Sequence, residues 1–422
     1  IFFSIDGLGT TSPAGGVIEV QKPAGATTRK AFLSCAAVQG VGAIPNGTVT
    51  LAGTPITWNQ NITSPSGFGN TFADVTTVVK PTIDAAAPGR IPFTVVEANP
   101  FAVDGCALGV VLDDPGQTRD SAVIVLFGGQ NTLGDSFAIT LAQPLDLSSP
   151  SSRADMGLAI SFSAQDQSGV GGSHLCGVQS AMDSQVDVNG QRLTSCAGNI
   201  DDGVGTISDG MLLTVGGLDD SNDNPADPLQ RAGDSGTPRV KDDELYNLKP
   251  FVKTGDTLIM VNTVNPSNDD NIFLAYFVTS VPAIVGEGIV LAPPSATNPV
   301  GTSHTVTATV VDNVGQPIAG RLVSFMILSG PDAGENGSAN TGADGKASFT
   351  YVGSSAGTDT IQASMVDSTG VTRLSNIASK QWQVGGTPTN PAPTLSLPLL
   401  ILLAVSLGIT GLFVANRRVK SQ

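Results

Sequence analysis

Residues 305–327 read TVTATVVDNVGQPIAGRLVSFMI, and this stretch decides the fold class. Residues 305–310 alternate polar with apolar side chains, residues 321–327 place Val323, Phe325 and Ile327 at every second position, and residues 312–320 between them are rich in Asp, Asn, Gly and Pro. An apolar residue at every second position is the period of a strand with one buried face. The residues between are those that set turn geometry. The pattern returns at 346–351 and 358–363. Short strands with regular turn signals predict a small β-sandwich over residues 286–384.

The upstream 285 residues continue in the same style. Apolar strand candidates recur at 16–20, 31–38, 48–51, 107–112, 122–127, 136–141, 157–162, 211–215, 257–261 and 272–278. Only five of the 36 acidic residues are Glu (Glu19, Glu97, Glu244, Glu287, Glu335). Asp competes for its own backbone and belongs in turns, whereas Glu suits helix interiors, so this skew favours strands joined by polar loops. Helices are expected only at 72–80 and 242–253, the second with acids in its first turn and lysines near its end. The expected architecture is all-β, with a jelly-roll-like β-sandwich head over 1–285 whose two subdomains meet near 165–172.

The far end of the chain changes character. Residues 385–396 form an uncharged Pro/Thr spacer, and residues 397–415, LPLLILLAVSLGITGLFVA, carry no charge. As a helix this segment would be about 28 Å long, enough to cross a bilayer. Arg417, Arg418 and Lys420 follow in the tail 416–422 and mark the cytoplasmic side. A single C-terminal transmembrane helix is therefore expected, with the body outside the cell. Ile1 to Ile5 lack a basic leader and Asp6-Gly7 breaks the apolar run, so the chain reads as a mature form or a fragment. The net charge of -16 argues against nucleic acid as a partner. Four cysteines, Cys35, Cys106, Cys176 and Cys196, suit an oxidising compartment. They allow three connectivities, of which Cys35–Cys106 with Cys176–Cys196 joins neighbours in sequence.

Three resemblances sharpen this picture. TATVVDNVGQPIAG, VSFMILSGPDAG, TGADGKASFTYVG and GTDTIQAS closely resemble the bacterial immunoglobulin-like modules of the invasin and intimin type. That likeness implies a rigid spacer without catalytic residues. Pro393, Thr394, Leu395 and Ser396, followed by the apolar segment and Arg417-Arg418, resemble the PEP-CTERM-like sorting tails of the Ile-Pro-Thr-Leu class. There an exosortase-type enzyme is the implied partner; Ala392 departs from the Ile of that class. LFGGQNTLGDSFAITLAQPLD, LLTVGGLDDSNDNPADP, DDELYNLKPF and NPSNDDNIFLAYF resemble a head module of exported bacterial surface proteins with no assigned role. Together they imply a non-enzymatic cell-surface protein of adhesion or structural type. The alternatives are a self-assembling subunit of a surface layer or fibre, and a polysaccharide-active or glycan-binding protein.

No motif assigns a catalytic residue. Gly233-Asp234-Ser235-Gly236 copies a fragment of a serine-protease loop, but the chain has two histidines, His174 and His304, neither in the matching context. Trp58, beside Asn59, Gln60 and Asn61, is one conceivable platform for a sugar, against a core tryptophan at a strand end. Asp219, Asp220, Asn222, Asp223, Asn224 and Asp227 crowd oxygen ligands of the kind calcium takes. Solvated turns closed by Asx hydrogen bonds explain the same run. Melting residues 1–285 with calcium and with chelator separates the two. Occupancy at a hundredfold excess over the dissociation constant would stabilise the fold by about 2.7 kcal/mol. A calcium site predicts a rise in melting temperature abolished by Asp220→Ala with Asp223→Ala, and identical melts leave the acids as turns.

Overall fold

The alternation resolves into three β-units along the chain. The computed structural model describes residues 1–9, 15–99, 102–117, 121–149, 152–161, 184–197, 213–218, 244–265 and 271–384. The first unit holds β1 (Phe2–Gly9), β2 (Gly16–Lys22), β3 (Thr27–Ala37), β4 (Val49–Leu51), β5 (Thr54–Pro55), β6 (Gln60–Thr63), β7 (Gly69–Asp74), α1 (Thr76–Ala85), β8 (Gly89–Glu97) and β9 (Val103–Asp113). The second holds β10 (Ala122–Phe127), β11 (Asp135–Leu141), β12 (Ala154–Ser161), β13 (Ser184–Val188), β14 (Gln191–Ala197), β15 (Leu213–Val215), β16 (Leu245–Asn247), β17 (Leu258–Val264), β18 (Asn271–Thr279) and β19 (Ala283–Val285). The third holds β20 (Gly288–Ala292), β21 (Ser295–Pro299), β22 (Ser303–Val311), β23 (Leu322–Ser329), β24 (Asn336–Asn340), β25 (Lys346–Val352), β26 (Gly357–Val366), β27 (Thr372–Leu374) and β28 (Ala378–Gln383).

The two head units share one topology. In the first, sheet I runs β1-β9-β3-β7-β6 and sheet II runs β2-β8-β4-β5. In the second, sheet III runs β10-β18-β12-β15, with β16 also on β12, and sheet IV runs β14-β13-β17-β11-β19. Setting aside β6 and β19 at the sheet edges, each unit pairs its first strand with its last and its second with its second-last, alternating between two sheets. This is the jelly roll. The chain passes from one roll to the other between Asp113 and Ala122; the 165–172 stretch lies outside the described residues.

The rolls stack through sheets I and III, so the central strands of these sheets are buried on both faces. Every residue of β12 and β18 is buried, whereas β8 and β17 in the outer sheets alternate. A strand covered on both sides reads as a continuous apolar run. Three cores result. One lies between sheets II and I (Ile18, Leu33, Leu108, Val110), and one between III and IV (Met156, Leu158, Val261, Phe277). The third is the seam between I and III (Phe3, Phe32, Ala107, Phe273, Tyr276).

Rings run across the seam in a chain. Tyr276 meets Phe3 at 4.9 Å between centroids, Phe32 meets Phe72 at 5.2 Å, and Phe72 meets Phe127 at 5.3 Å. Two of these rings face a glycine on the neighbouring strand. Phe32 is paired with Gly109 and Tyr276 with Gly157. A Cβ at either glycine would come within 2.1 Å of the ring. Cys35 is paired with Cys106 on the same two strands as Phe32 and Gly109, and the two cysteines form a disulfide. It closes a loop of 71 residues, a constraint on the unfolded chain of about 4 kcal/mol in the chain-entropy picture. The pairing Cys176–Cys196 rests on Cys176, outside the described residues.

The third unit is a sandwich of sheet V (β20-β22-β25) and sheet VI (β21-β28-β26-β23-β24, with β27 also on β26). Its core holds Val306, Phe325, Ile361 and Trp382 around a buried polar knot. Asp359 Oδ2 accepts from Trp382 Nε1 at 2.7 Å and Tyr351 OH at 3.0 Å, while its Oδ1 accepts from the Asp332 amide at 3.0 Å.

Two expected helices are corrected. Residues 69–74 form β7, and α1 starts only at Thr76, whose amide donates to Asp74 Oδ1; Phe72 belongs to the seam rather than to a helix face. In 242–253, Leu245–Asn247 is a strand on β12, followed by a 3-10 turn at Lys249–Phe251. Pro250 lacks the amide a longer helix would use, and Tyr246 and Leu248 fill the core between sheets III and IV. No helix among the described residues is long and apolar enough to cross a membrane. The expected span 397–415, the sorting residues Pro393 to Ser396 and the basic tail lie outside the described residues.

Replacing Gly157 with Ala should lower stability by about 1–3 kcal/mol, because the seam has no room for the methyl group. Gly128→Ala is the control, since nothing lies within 4 Å of its Cβ position, and its change should stay within about 0.5 kcal/mol. Urea titrations of both variants check this.

Candidate functional site: the loop end of the head

Strand registers gather four connections of each roll at one end. In the first roll, Gly9 pairs with Gly105, Ala37 with Val103, and Ala36 with both Gly105 and Asn70. The loops between β1 and β2, β3 and β4, β6 and β7, and β8 and β9 therefore all lie beside one another. In the second roll, Phe127 pairs with Leu274, Ser161 with Asn271 and Leu213, and Ser184 with Ala197. The chain thus leaves β10, β12, β14 and β17 at a single end as well.

The two ends coincide, because a buried polar node ties them together. Asn70 on β7 and Asn271 on β18 exchange amide hydrogen bonds, at 2.8 and 3.1 Å across 201 residues of sequence. Asn70 Nδ2 also donates to the Gly128 carbonyl at 2.7 Å, and Asn271 Nδ2 to Ser161 Oγ at 2.7 Å. All three side chains are fully buried. Satisfied in this way, they cost little and fix one register between the rolls. Asp104, also fully buried, belongs to the same node. Burial pushes its carboxyl up to about 8; a hydrogen bond with Ser161 opposes the shift and the Glu97 carboxylate adds to it.

The immunoglobulin-like unit attaches at the opposite end. Thr27 pairs with Asp113, Ala122 with Thr279, and Ala154 with Thr279, and from there β19 leads through Gly286 and Glu287 into β20. The joint is tied on both sides. Glu287 takes the Arg321 guanidinium at 2.8 Å and the Ser368 amide at 3.0 Å, and its own amide donates to Asn313 Oδ1 at 2.9 Å. Gly315, at φ 77°, sits so close to sheet IV that a Cβ would meet Leu258 at 2.5 Å and Ala138 at 3.2 Å. A groove of about 1060 Å³ opens where the two rolls meet this unit, and Arg29 and Asp113 form an ion pair on its wall.

The residues singled out by sequence fall around this frame. Asp219, Asp220, Asn222, Asp223, Asn224 and Asp227 lie outside the described residues, in a segment that leaves sheet III after Leu218 and returns at Glu244. The departure point is held by the Leu218 amide, which donates to the Ile5 carbonyl at 2.9 Å. Among the described residues, no three His, Cys, Asp or Glu side chains cluster as a metal site would need. Gly233 to Gly236 and His174 also lie outside them. Trp58 packs in the core between sheets II and I, 6% exposed, so its ring offers no face to a sugar. His304 packs edge-on to Tyr351 and Trp382. Burial, with Lys380 nearby, lowers its pKa to about 4, so it is a neutral core residue at pH 7. Sequence reading missed Asn70, Ser161 and Asp104; their one signal is a polar residue inside a strand otherwise apolar on both faces.

Comparison with known proteins places one unit in a family. Residues 300–377 match the family model of the bacterial Ig-like domain (group 1), in agreement with the resemblance carried by TATVVDNVGQPIAG, VSFMILSGPDAG, TGADGKASFTYVG and GTDTIQAS. No curated protein matches the chain. Among solved structures, the chain is similar to a putative membrane anchored protein from Corynebacterium diphtheriae, at 10% identity and a TM-score of 0.21. That match covers 93% of this chain, which spans 61% of the other; at such a score it carries no weight for fold or function.

Asp104 makes the loop end sensitive to pH. Its folded pKa of about 8 exceeds the ordinary value of 3.8. The unfolded chain therefore gives up the proton first, and this stability is complete below pH 4 and lost as pH rises towards 8. Asp104→Asn should leave the melting temperature unchanged near pH 4 and raise it progressively above the parent's up to pH 8. A constant offset across that range would show that the carboxyl does not titrate in this way.

Proposed function

We propose that the chain is a non-enzymatic cell-surface protein whose tandem jelly-roll head is held out by the immunoglobulin-like unit from a C-terminal membrane anchor. The observation that carries this reading is the polarity of the body. Four connections of each roll lie at one end, and the joint to the immunoglobulin-like unit lies at the other, where the remaining turns are. Binding residues concentrate on loops supported by a rigid scaffold, and here the scaffold points its loop end away from the unit that leads to the anchor. The family match of residues 300–377, the Cys35–Cys106 disulfide and the apolar segment 397–415 all support an exported chain. The exposed partner would be a surface protein or glycan met by the loop end, with calcium a candidate for the acidic segment 219–227. The Pro393 to Ser396 motif would bring the tail to an exosortase-type enzyme of the inner membrane.

Protease added to intact spheroplasts tests the topology. It should remove the body and leave a short tail with Arg417, Arg418 and Lys420. Full protection of residues 1–380 would overturn the reading.

A further inference from the structure

The immunoglobulin-like unit is described from end to end, and its two outer faces differ. On sheet V the outward positions are hydroxyl ladders, in which Thr305 bonds Thr350 at 2.7 Å and Thr307 bonds Ser348 at 3.0 Å. On sheet VI, strand β23 turns apolar side chains to both faces, with Ser324 the one polar residue among its outward positions up to Leu328. Val323, Phe325 and Ile327 fill the core, while Leu322, Met326 and Leu328 stand outward with 56%, 50% and 46% of their surface exposed. Register sets Met326 beside Gln362 and Leu374 beside Ser364, and Val366, 50% exposed, ends the neighbouring strand β26. Leu374 itself is 61% exposed. An apolar group of this kind on a solvent face marks a contact surface.

Charge decides what can cover it. The chain carries 36 acidic and 20 basic residues, a net charge of -16, so two copies repel at long range. Yet no outward position on β21, β23, β24, β26 or β28 is Asp, Glu, Lys or Arg. Two copies can meet here without desolvating a carboxylate. The polar side chains around the apolar group are hydroxyls and amides, each both donor and acceptor. Such a face is complementary to its own copy turned through a two-fold axis. At about 3.3 Å per residue and 4.8 Å between strands, these five strands present roughly 540 Å². Two such faces would bury about 1,100 Å², above the roughly 1,000 Å² that a specific interface should clear.

We propose that the chain pairs with a second copy of itself through the outer face of sheet VI, centred on Leu322, Met326, Leu328, Val366 and Leu374. The pairing is independent of where the chain is displayed. Residues 1–384 hold every core described above and serve for the test by sedimentation equilibrium. At a concentration of about 100 µM, where even a weak interface of this size registers, a dimer is expected. Raising salt from about 50 to 500 mM should strengthen it, because screening removes repulsion between like-charged bodies. Met326→Glu and, separately, Leu374→Glu should each weaken the dimer at least tenfold without changing the melting temperature. Thr307→Glu, on sheet V, should leave it intact. A monomer at that concentration overturns the proposal, and so does a dimer indifferent to both sheet VI variants.

Discussion

The head depends on one constraint: the central strands of sheets I and III have no solvent face. A strand buried on both sides cannot alternate apolar with polar residues, so both of its faces must be packed. Two inner sheets at ordinary spacing leave room for one layer of side chains. The seam fills that layer with rings, and a ring on one strand takes the space of the residue opposite on the next. Gly109 under Phe32 and Gly157 under Tyr276 are the result. They are glycines because of what lies above them, since neither needs a positive φ. The same solution recurs in the third unit, where a Cβ on Gly353 would come within 2.2 Å of the Trp382 ring.

Rings alone would let the two rolls slide, because hydrophobic burial has no direction. The reciprocal Asn70–Asn271 pair supplies it. An amide pair is satisfied in one register only, and a shift along the strands would bury four polar groups without partners, at about 1–3 kcal/mol each. The pair sits at the loop end, so the alignment of the two loop clusters is the property most tightly held. Strand order adds to this. Phe72 of β7 lies on Phe127 of β10, and Ile5 of β1 on the chain just after β15. The first strand of each roll therefore lies on or beside the sixth strand of the other, with β6 set aside, the arrangement of a two-fold interface built within one chain.

How much of this was legible follows from which signals are local. Strand β22 was legible from alternation, which is a local consequence of one buried face. Strand β18 was legible as an apolar run, but its partner sheet was not, because nothing within residues 272–278 says what covers each side. The helices failed for the same reason. Phe72 and Ala73 have helical spacing with Val79 and Ile83, yet the first two belong to β7, between β3 and β6 in sheet I, and the last two to α1. Asn271 follows Asp269 and Asp270 in sequence, a context that gives no sign of burial, yet it is a fully buried bridge to a residue 201 positions away. The loop end as a site is invisible in sequence, since it exists only through registers that pair distant strands.

The polarity of the body has a mechanical consequence. Force applied between the loop end and the C-terminal side enters the third unit through Gly286 and Glu287, a connection of two residues between β19 and β20. Such a short connection would bend freely if nothing tied it. Here the Glu287 carboxylate binds Arg321 and Ser368, both within the third unit, while Gly315 brings that unit's turn against Leu258 and Ala138 of the head. Buried, charge-assisted bonds of this type are among the stronger polar contacts, and the Glu287 side chain is 8% exposed. The joint is therefore closed from both sides, by an ion pair that shapes the linker and by a glycine that lets the turn approach sheet IV. A head that presents loops at one end needs that stiffness at the other, because an orientation set by the Asn70–Asn271 pair would be lost at a free hinge.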